Sequence, residues 1–207
     1  FLQVKDNQGC AGVDGITISI FENKLNKNLS FIINELKDGS YSPLPLLKII
    51  VDKGNDKSRC LYIPTIKDRV VQTAVLCLIE PIFEKEFEKC SFGYRKGLSV
   101  KHAIYKVKEY HEMGYRWIID ADIDIFFDNL DHRLLFSKIE RYIKDDNIIK
   151  LIVRSVRSEV WDGKYLYSIN RGIPQGSPLS PILANLFLDE LDEALLDKGY
   201  KYVRYAD

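Results

Sequence analysis

Apolar residues recur along this chain at helical spacing, in blocks separated by short alternating or continuous apolar runs. Phe21, Leu25, Leu29, Ile32 and Leu36 fall three or four residues apart, with Ser19 and Glu22 spaced as a capping box and Gly39 as the stop. That pattern predicts one amphipathic helix. Leu46–Val51 and Arg59–Ile63 read as two strands around the polar turn 53–58, and Pro64 ends the second. They predict a hairpin with basic residues at its tip. From Lys67 a long helical pattern runs through Val71, Val75, Leu78, Ile79 and Phe83, and Pro81 is expected to bend or restart it. Ser99 opens a further helix carrying Ala103, Ile104, Val107 and Tyr110, closed at Gly114.

The second half is organised around Trp117–His132, WIIDADIDIFFDNLDH. Arg116–Ile123 reads as the central buried strand. Asp131 is placed as N-cap of a helix bearing Leu134, Leu135, Ile139 and Tyr142, and a second helical pattern runs from Ile148 to Val156. Asp162-Gly163 between aromatic and β-branched residues signals a hairpin over 159–169. After a Gly/Pro loop at 171–180, Ser180 reads as N-cap with Pro181 at the first helical position. The following helix is expected to bury Leu183, Leu186, Phe187, Leu191 and Leu195 and to stop at Gly199. Tyr200–Tyr205 reads as a last strand. Helices around a small, mostly antiparallel sheet make this an α+β chain.

With 207 residues the chain has room for one large core or two modest domains. Net charge is zero, but its distribution is uneven. Residues 48–106 hold 12 Lys or Arg against 7 Asp or Glu, and residues 120–146 hold 8 acids against 4 bases. A basic middle followed by an acidic patch suits an anionic substrate on one surface and metal ions on another. Cys10, Cys60, Cys77 and Cys90 have neither C-x-x-C spacing nor histidines in zinc-site register, so they are expected to be reduced thiols of a cytoplasmic protein. No apolar run is long enough to span a membrane. A chain that starts at Phe1 and stops directly after a strand-like run is expected to be a piece of something longer.

Gly9–Thr17, GCAGVDGIT, is glycine-rich but lacks the phosphate-loop pattern, so by itself it predicts only tight turns. The acidic cluster carries more chemistry. Asp120, Asp122 and Asp124 would share one face of a strand, with Asp128 and Asp131 just beyond. Like charges so placed repel unless a divalent cation joins them, and hard carboxylate ligands fit Mg²⁺ or Mn²⁺. A solvated acidic strand end is the plainer alternative. Asp207, at the end of the Tyr202–Asp207 run, is placed where a tight turn can bring its carboxylate beside Asp122. Two such aspartates holding two metals would serve phosphoryl transfer.

Read together, these blocks resemble the reverse transcriptases of the group II intron class, which includes the CRISPR-associated enzymes. The resemblance runs nearly end to end. GVDGIT at 12–17 is similar to the element preceding the fingers, RCLYIPTIKDRVVQ at 59–72 to the fingers motif, and FGYRKG at 92–97 to the next block. DIDIFFDNLDH at 122–132 resembles the first palm motif, RGIPQGSPLSPILANLFL at 171–188 the nucleotide-holding block, and Tyr205-Ala206-Asp207 the start of the YADD box. Asp124, where lysine is frequent, and Ser177-Pro178, where PQGG is common, lean toward the CRISPR-associated branch.

The resemblance implies a right-hand polymerase fold, with an N-terminal extension and fingers over 1–115 and a truncated palm over 116–207. It implies an RNA-directed DNA polymerase that transfers dNMP from dNTP to a primer 3′-hydroxyl on an RNA template, using two Mg²⁺ ions. Asp122 and Asp207 would be catalytic, with Ile123 counted in the same metal site. Phe127 would stand under the sugar and exclude a 2′-hydroxyl; Phe126, on the opposite face by strand alternation, would be core. Arg59, Lys67 and Arg69 would neutralise the triphosphate, and Arg95 would meet phosphate or template. Gln175 and Gly176 would contact the nucleotide, and Tyr205 would lie beneath the primer end. His132 would be structural. Implied partners are an RNA template, a DNA or RNA primer, dNTP, and either intron RNA or a Cas1/Cas2-type integrase. An RNA-templated RNA polymerase, or an RNA-binding maturase scaffold, are the competing readings. The fragment alone is expected to be inactive.

Overall fold

The computed structural model describes residues 1–52, 54 and 58–207, so the basic tip of the expected first hairpin (Lys53, Lys57) lies outside the described residues. Thirteen elements follow in order among the described residues: α1 (Leu2–Asp6), α2 (Ile18–Glu22), α3 (Leu25–Asp38), β1 (Leu46–Asp52), β2 (Ser58–Ile63), α4 (Ile66–Phe83), α5 (Val100–Glu112), α6 (Phe126–Asn129), α7 (His132–Tyr142), α8 (Asp146–Val156), β3 (Val160–Trp161), β4 (Leu166–Tyr167) and α9 (Ser180–Asp197). This is a mixed α+β fold, a small sheet packed against helices, consistent with a fingers and palm arrangement.

The sheet runs β2-β1-β3-β4. Leu47 faces Ile63 and Asp52 faces Ser58 in the antiparallel hairpin, and β3–β4 is antiparallel too. The β1–β3 pairing is parallel, from Leu46 opposite Val160, so the sheet is mixed rather than purely antiparallel. Two apolar clusters form the core. One gathers Val4, Phe21, Ile32, Tyr41 and the start of α4. The larger joins Ile79 and Phe83 of α4 to Phe126, Leu135, Ile152 and Leu183. Helix α4 therefore threads both.

Several expectations need correction. The first helix breaks at Asn23-Lys24 into α2 and α3, and its cap is Thr17, whose hydroxyl accepts from Ile20 N, rather than Ser19. Helix α4 continues through Pro81 to Phe83, so the proline does not restart it; the missing N–H leaves the carbonyl four residues back without its helical donor, a single lost bond close to the helix end. Ser99 does hold the N-cap position of α5, but its hydroxyl pairs with the His102 ring at 3.0 Å rather than with a backbone N–H. Ser180 sits inside α9 and donates to Pro174 O at 2.7 Å, with Leu179 at the cap position. Asp131 does cap α7, accepting from Arg133 N and Leu134 N.

The largest departure is the expected central strand. Residues 116–123 pair with no strand among the described residues, and Trp117 and Ile119 are 96% and 95% exposed. An apolar run becomes a buried strand only when a ladder partner covers its backbone groups. The Tyr200–Tyr205 run likewise makes only a single parallel bridge among the described residues, Arg204 with Ser91. Phe126 and Phe127 consequently lie on a helical turn rather than a strand, and both are buried, with rings 5.6 Å apart edge to face. No helix among the described residues is long and apolar enough to cross a membrane.

Candidate nucleotide site

The loop before α9 is laced to β2. Tyr62 N donates to Gln175 O at 2.8 Å. Gly176 follows at φ +124°, where a Cβ would come within 2.7 Å of Tyr62 O, so the close approach requires glycine. This junction brings together side chains from three regions. Arg59 Nε of β2 donates to Gln175 Oε1 at 2.5 Å. The Gln175 amide then donates through Nε2 to Asp128 Oδ2 of α6 at 3.3 Å. An amide partner leaves the guanidinium charge uncompensated at that contact, whereas a carboxylate would have cancelled it.

Burial pushes the Asp128 carboxyl above its usual range, while Arg59 and Lys48 pull it back. On the same side, Tyr94 adopts φ +59° and presents its ring edge-on to Phe127, centroids 6.3 Å apart. The Tyr94 hydroxyl is pushed up first by burial and then by the negative charge of Asp207, with Arg59 opposing. Arg59, Gln175, Asp128, Tyr94, Phe127 and Asp207 thus share one neighbourhood. A pocket of ≈ 340 Å³ opens beside Asp128, between Tyr62, Tyr167, Asn170 and Arg171.

The other expected basic residues are engaged by the protein. Lys67 Nζ lies 2.5 Å from Glu35 Oε2 and over the rings of Phe31 and Tyr41. Arg69 is buried and donates to the backbone oxygens of Pro64, Gln8 and Cys10. Asp68, between them, pairs with neither; it accepts from Tyr41 Oη at 2.8 Å and from Thr65 Oγ1 at 2.7 Å. Arg95 is held by Glu84 at 2.9 and 2.6 Å and by the carbonyls of Glu88 and Ser91. Asp122 and Ile123 are exposed on the unpaired 116–123 segment, Asp207 is half-buried and Tyr205 is 47% exposed. His132 is buried, with Nε2 2.5 Å from Gly172 O, as a structural residue would be.

Carboxylate oxygens are the right donors for Mg²⁺. Among the described residues, however, no group of three or more His, Cys, Asp or Glu side chains is gathered to hold a metal. Sequence reasoning also passed over two members of the neighbourhood. Tyr94 stands beside Arg95 in a quoted block, and Asp128 was counted in the acidic cluster without a role. Their contacts are with residues 33 to 47 positions away, beyond any local spacing signal.

A family model described as reverse transcriptase (RNA-dependent DNA polymerase) matches residues 50–207. The chain belongs to the reverse transcriptase family. Among curated relatives, Protein YkfC of Escherichia coli (strain K12) is 36% identical over 191 residues, covering 90% of this chain and 50% of that one. The group II intron-encoded protein LtrA of Lactococcus lactis subsp. cremoris is 36% identical over 199 residues, covering 96% of this chain and 33% of LtrA. The chain therefore spans half or less of the length of these relatives. Among solved structures, a Cas6-RT-Cas1–Cas2 complex superposes with TM-score 0.58 at 30% identity, over 90% of this chain and 20% of that one. Telomerase from Candida albicans shares the fold at TM-score 0.54 and 13% identity, over 93% of this chain and 42% of that one. The reverse transcriptase domain is thus related to both the group II intron and the CRISPR-associated enzymes, and membership implies Mg²⁺ dependence in general.

Proposed function

We propose that the chain supplies the fingers (within 1–115) and palm (116–207) of an RNA-directed DNA polymerase. The primer 3′-hydroxyl attacks the α-phosphorus of a dNTP, a new P–O bond forms, and pyrophosphate leaves. The observation that carries this reading is the Arg59–Gln175–Asp128 contact, which joins the fingers hairpin to the palm loop at one point beside Tyr94, Phe127 and Asp207.

Arg59 meets the triphosphate, and its planar fork suits two phosphate oxygens at once. Gln175 turns an amide toward sugar or base edge, and Gly176 permits the backbone to approach the nucleotide. Phe127, walled by Tyr94, limits space at the sugar and favours deoxynucleotides. Lys67, Arg69 and Arg95 reach phosphate only by exchanging their present partners. Tyr205 lies toward the primer end. Asp122, with Ile123, and Asp207 are the proposed metal-binding set; bound Mg²⁺ would supply charge neutralisation at the reacting phosphate. RNA template, primer and dNTP are the expected partners, together with intron RNA or an integrase of the Cas1/Cas2 kind, in keeping with the relatives above.

Primer extension on an RNA template by the full-length protein tests this. The protein should add dNMP, and Asp122→Ala or Asp207→Ala should each reduce addition at least about 100-fold. RNA binding without any extension would replace the polymerase with a scaffold.

A further inference from the structure

Outside the nucleotide neighbourhood, the most elaborate buried polar arrangement centres on Arg204. Its side chain is 3% exposed and that of Asp192, on α9, is 0% exposed. Arg204 Nε donates to Asp192 Oδ1 at 2.9 Å and Nη2 donates to Oδ2 at 2.7 Å, a two-pronged pair. The remaining terminal nitrogen, Nη1, donates to Asn185 Oδ1 at 2.8 Å and to Ala206 O at 2.6 Å. Asn185, one and a half to two turns before Asp192 on the same helix, passes the connection on: its Nδ2 donates to Gly93 O at 2.9 Å.

The backbone closes the loop. Arg204 N donates to Cys90 O at 2.8 Å and Phe92 N donates to Arg204 O at 2.9 Å. Gly93 lies so near Ala206 that a Cβ there would sit 2.2 Å from Ala206 N. Ala206 itself holds φ +73°, a left-handed conformation that a residue with a side chain adopts only when its surroundings impose it.

A buried ion pair is weak evidence of stabilisation, because desolvation offsets attraction; its best-attested use is to specify a geometry. Here the geometry specified is that of one peptide unit. The Ala206 carbonyl held by Arg204 belongs to the amide that leads into Asp207. We infer that the Arg204–Asp192–Asn185 clamp is the positioning device for Asp207, fixing the kink at Ala206 against the loop at 90–94 and so setting the carboxylate from helix α9. Arg204 touches no substrate in this assignment. The inference rests on the reading of Asp207 as a residue of the polymerase site.

Two variants test it in the full-length protein. Arg204→Lys keeps the charge but loses the fork that grips Asp192 and Ala206 together. Asn185→Ala is milder, removing the link to Gly93 while sparing the ion pair, and serves if the first fails to fold. Hydrogen exchange should quicken at least tenfold in peptides covering 89–94 and 202–207 while α4 stays protected. In primer extension, kcat should fall about tenfold or more with the KM for dNTP within twofold of wild type. Unchanged local exchange, exchange that rises equally in α4, or a raised KM with kcat intact would each overturn the clamp as a positioning device. A wild type without extension would sink the polymerase reading, and the exchange data would still decide whether the clamp holds the turn.

Discussion

Asp189 on α9 is 4% exposed, and its Oδ1 has no partner among the described residues. Burial first, then the charges of Glu193 and Asp192, raise its pKa to about 6. A carboxyl whose folded pKa lies above its unfolded value binds its proton more tightly when folded. Stability tied to Asp189 is therefore greatest below about pH 4 and is lost as pH rises through about 6. Asp189→Asn removes the titration and should raise the melting temperature at pH 7 by about 2–6 °C, with little change at pH 4. Thermal unfolding at both pH values checks this, and an equal shift at each would show that the charge is not the cause. Phe127 makes a second residue-scale case. Its ring is 7% exposed and braced by Phe126 and Tyr94, so Phe127→Ala should raise ribonucleotide use relative to deoxynucleotide at least about tenfold in competitive incorporation. Unchanged selectivity would remove Phe127 as the sugar gate.

At the scale of elements, the loop preceding α9 is held against α6 with little tolerance. Gly172 has φ +84°, and a Cβ there would come within 2.7 Å of the carbonyls of both Phe127 and Asp128. Gly172→Ala should cost about 2–4 kcal/mol in denaturant unfolding, well above an exposed helix substitution. The amphipathic helices and the 46–63 hairpin were legible because their apolar spacing and caps are local. The C-terminal half of α9 was not. Its apolar spacing pointed Leu191 inward, yet Leu191 is 40% exposed while Asp192 is fully buried. The helix turns a carboxylate to the core because Arg204 waits there, a partner 12 residues on that no helical period reveals. Strand-like runs were over-read for the opposite reason: hydrophobic content marks where a ladder could form, and the pairing belongs to another segment.

For the whole molecule, the consequence is a well-packed helical body carrying an open apolar run. Helices α4, α7, α8 and α9 enclose the larger cluster, whereas Arg116–Ile123 lies exposed along its length. Trypsin should cut the 207-residue chain at Arg116 well before it cuts within α4 or α9, read by mass spectrometry of early fragments. Resistance at Arg116 would mean that the run is covered in solution. Arg59, Gln175 and Asp207 are each candidates from the sequence, and what the fold adds is the contact of Arg59 with Gln175, in a neighbourhood where the charge of Asp207 also acts on Tyr94. That contact is tested most directly by the KM for dNTP in Arg59→Ala, Gln175→Ala and the double variant of the full-length protein. If the two side chains act as one nucleotide grip, each single change raises KM about tenfold and the double change adds little more. Full multiplication of the two effects, or KM unchanged in both single variants, would contradict the account.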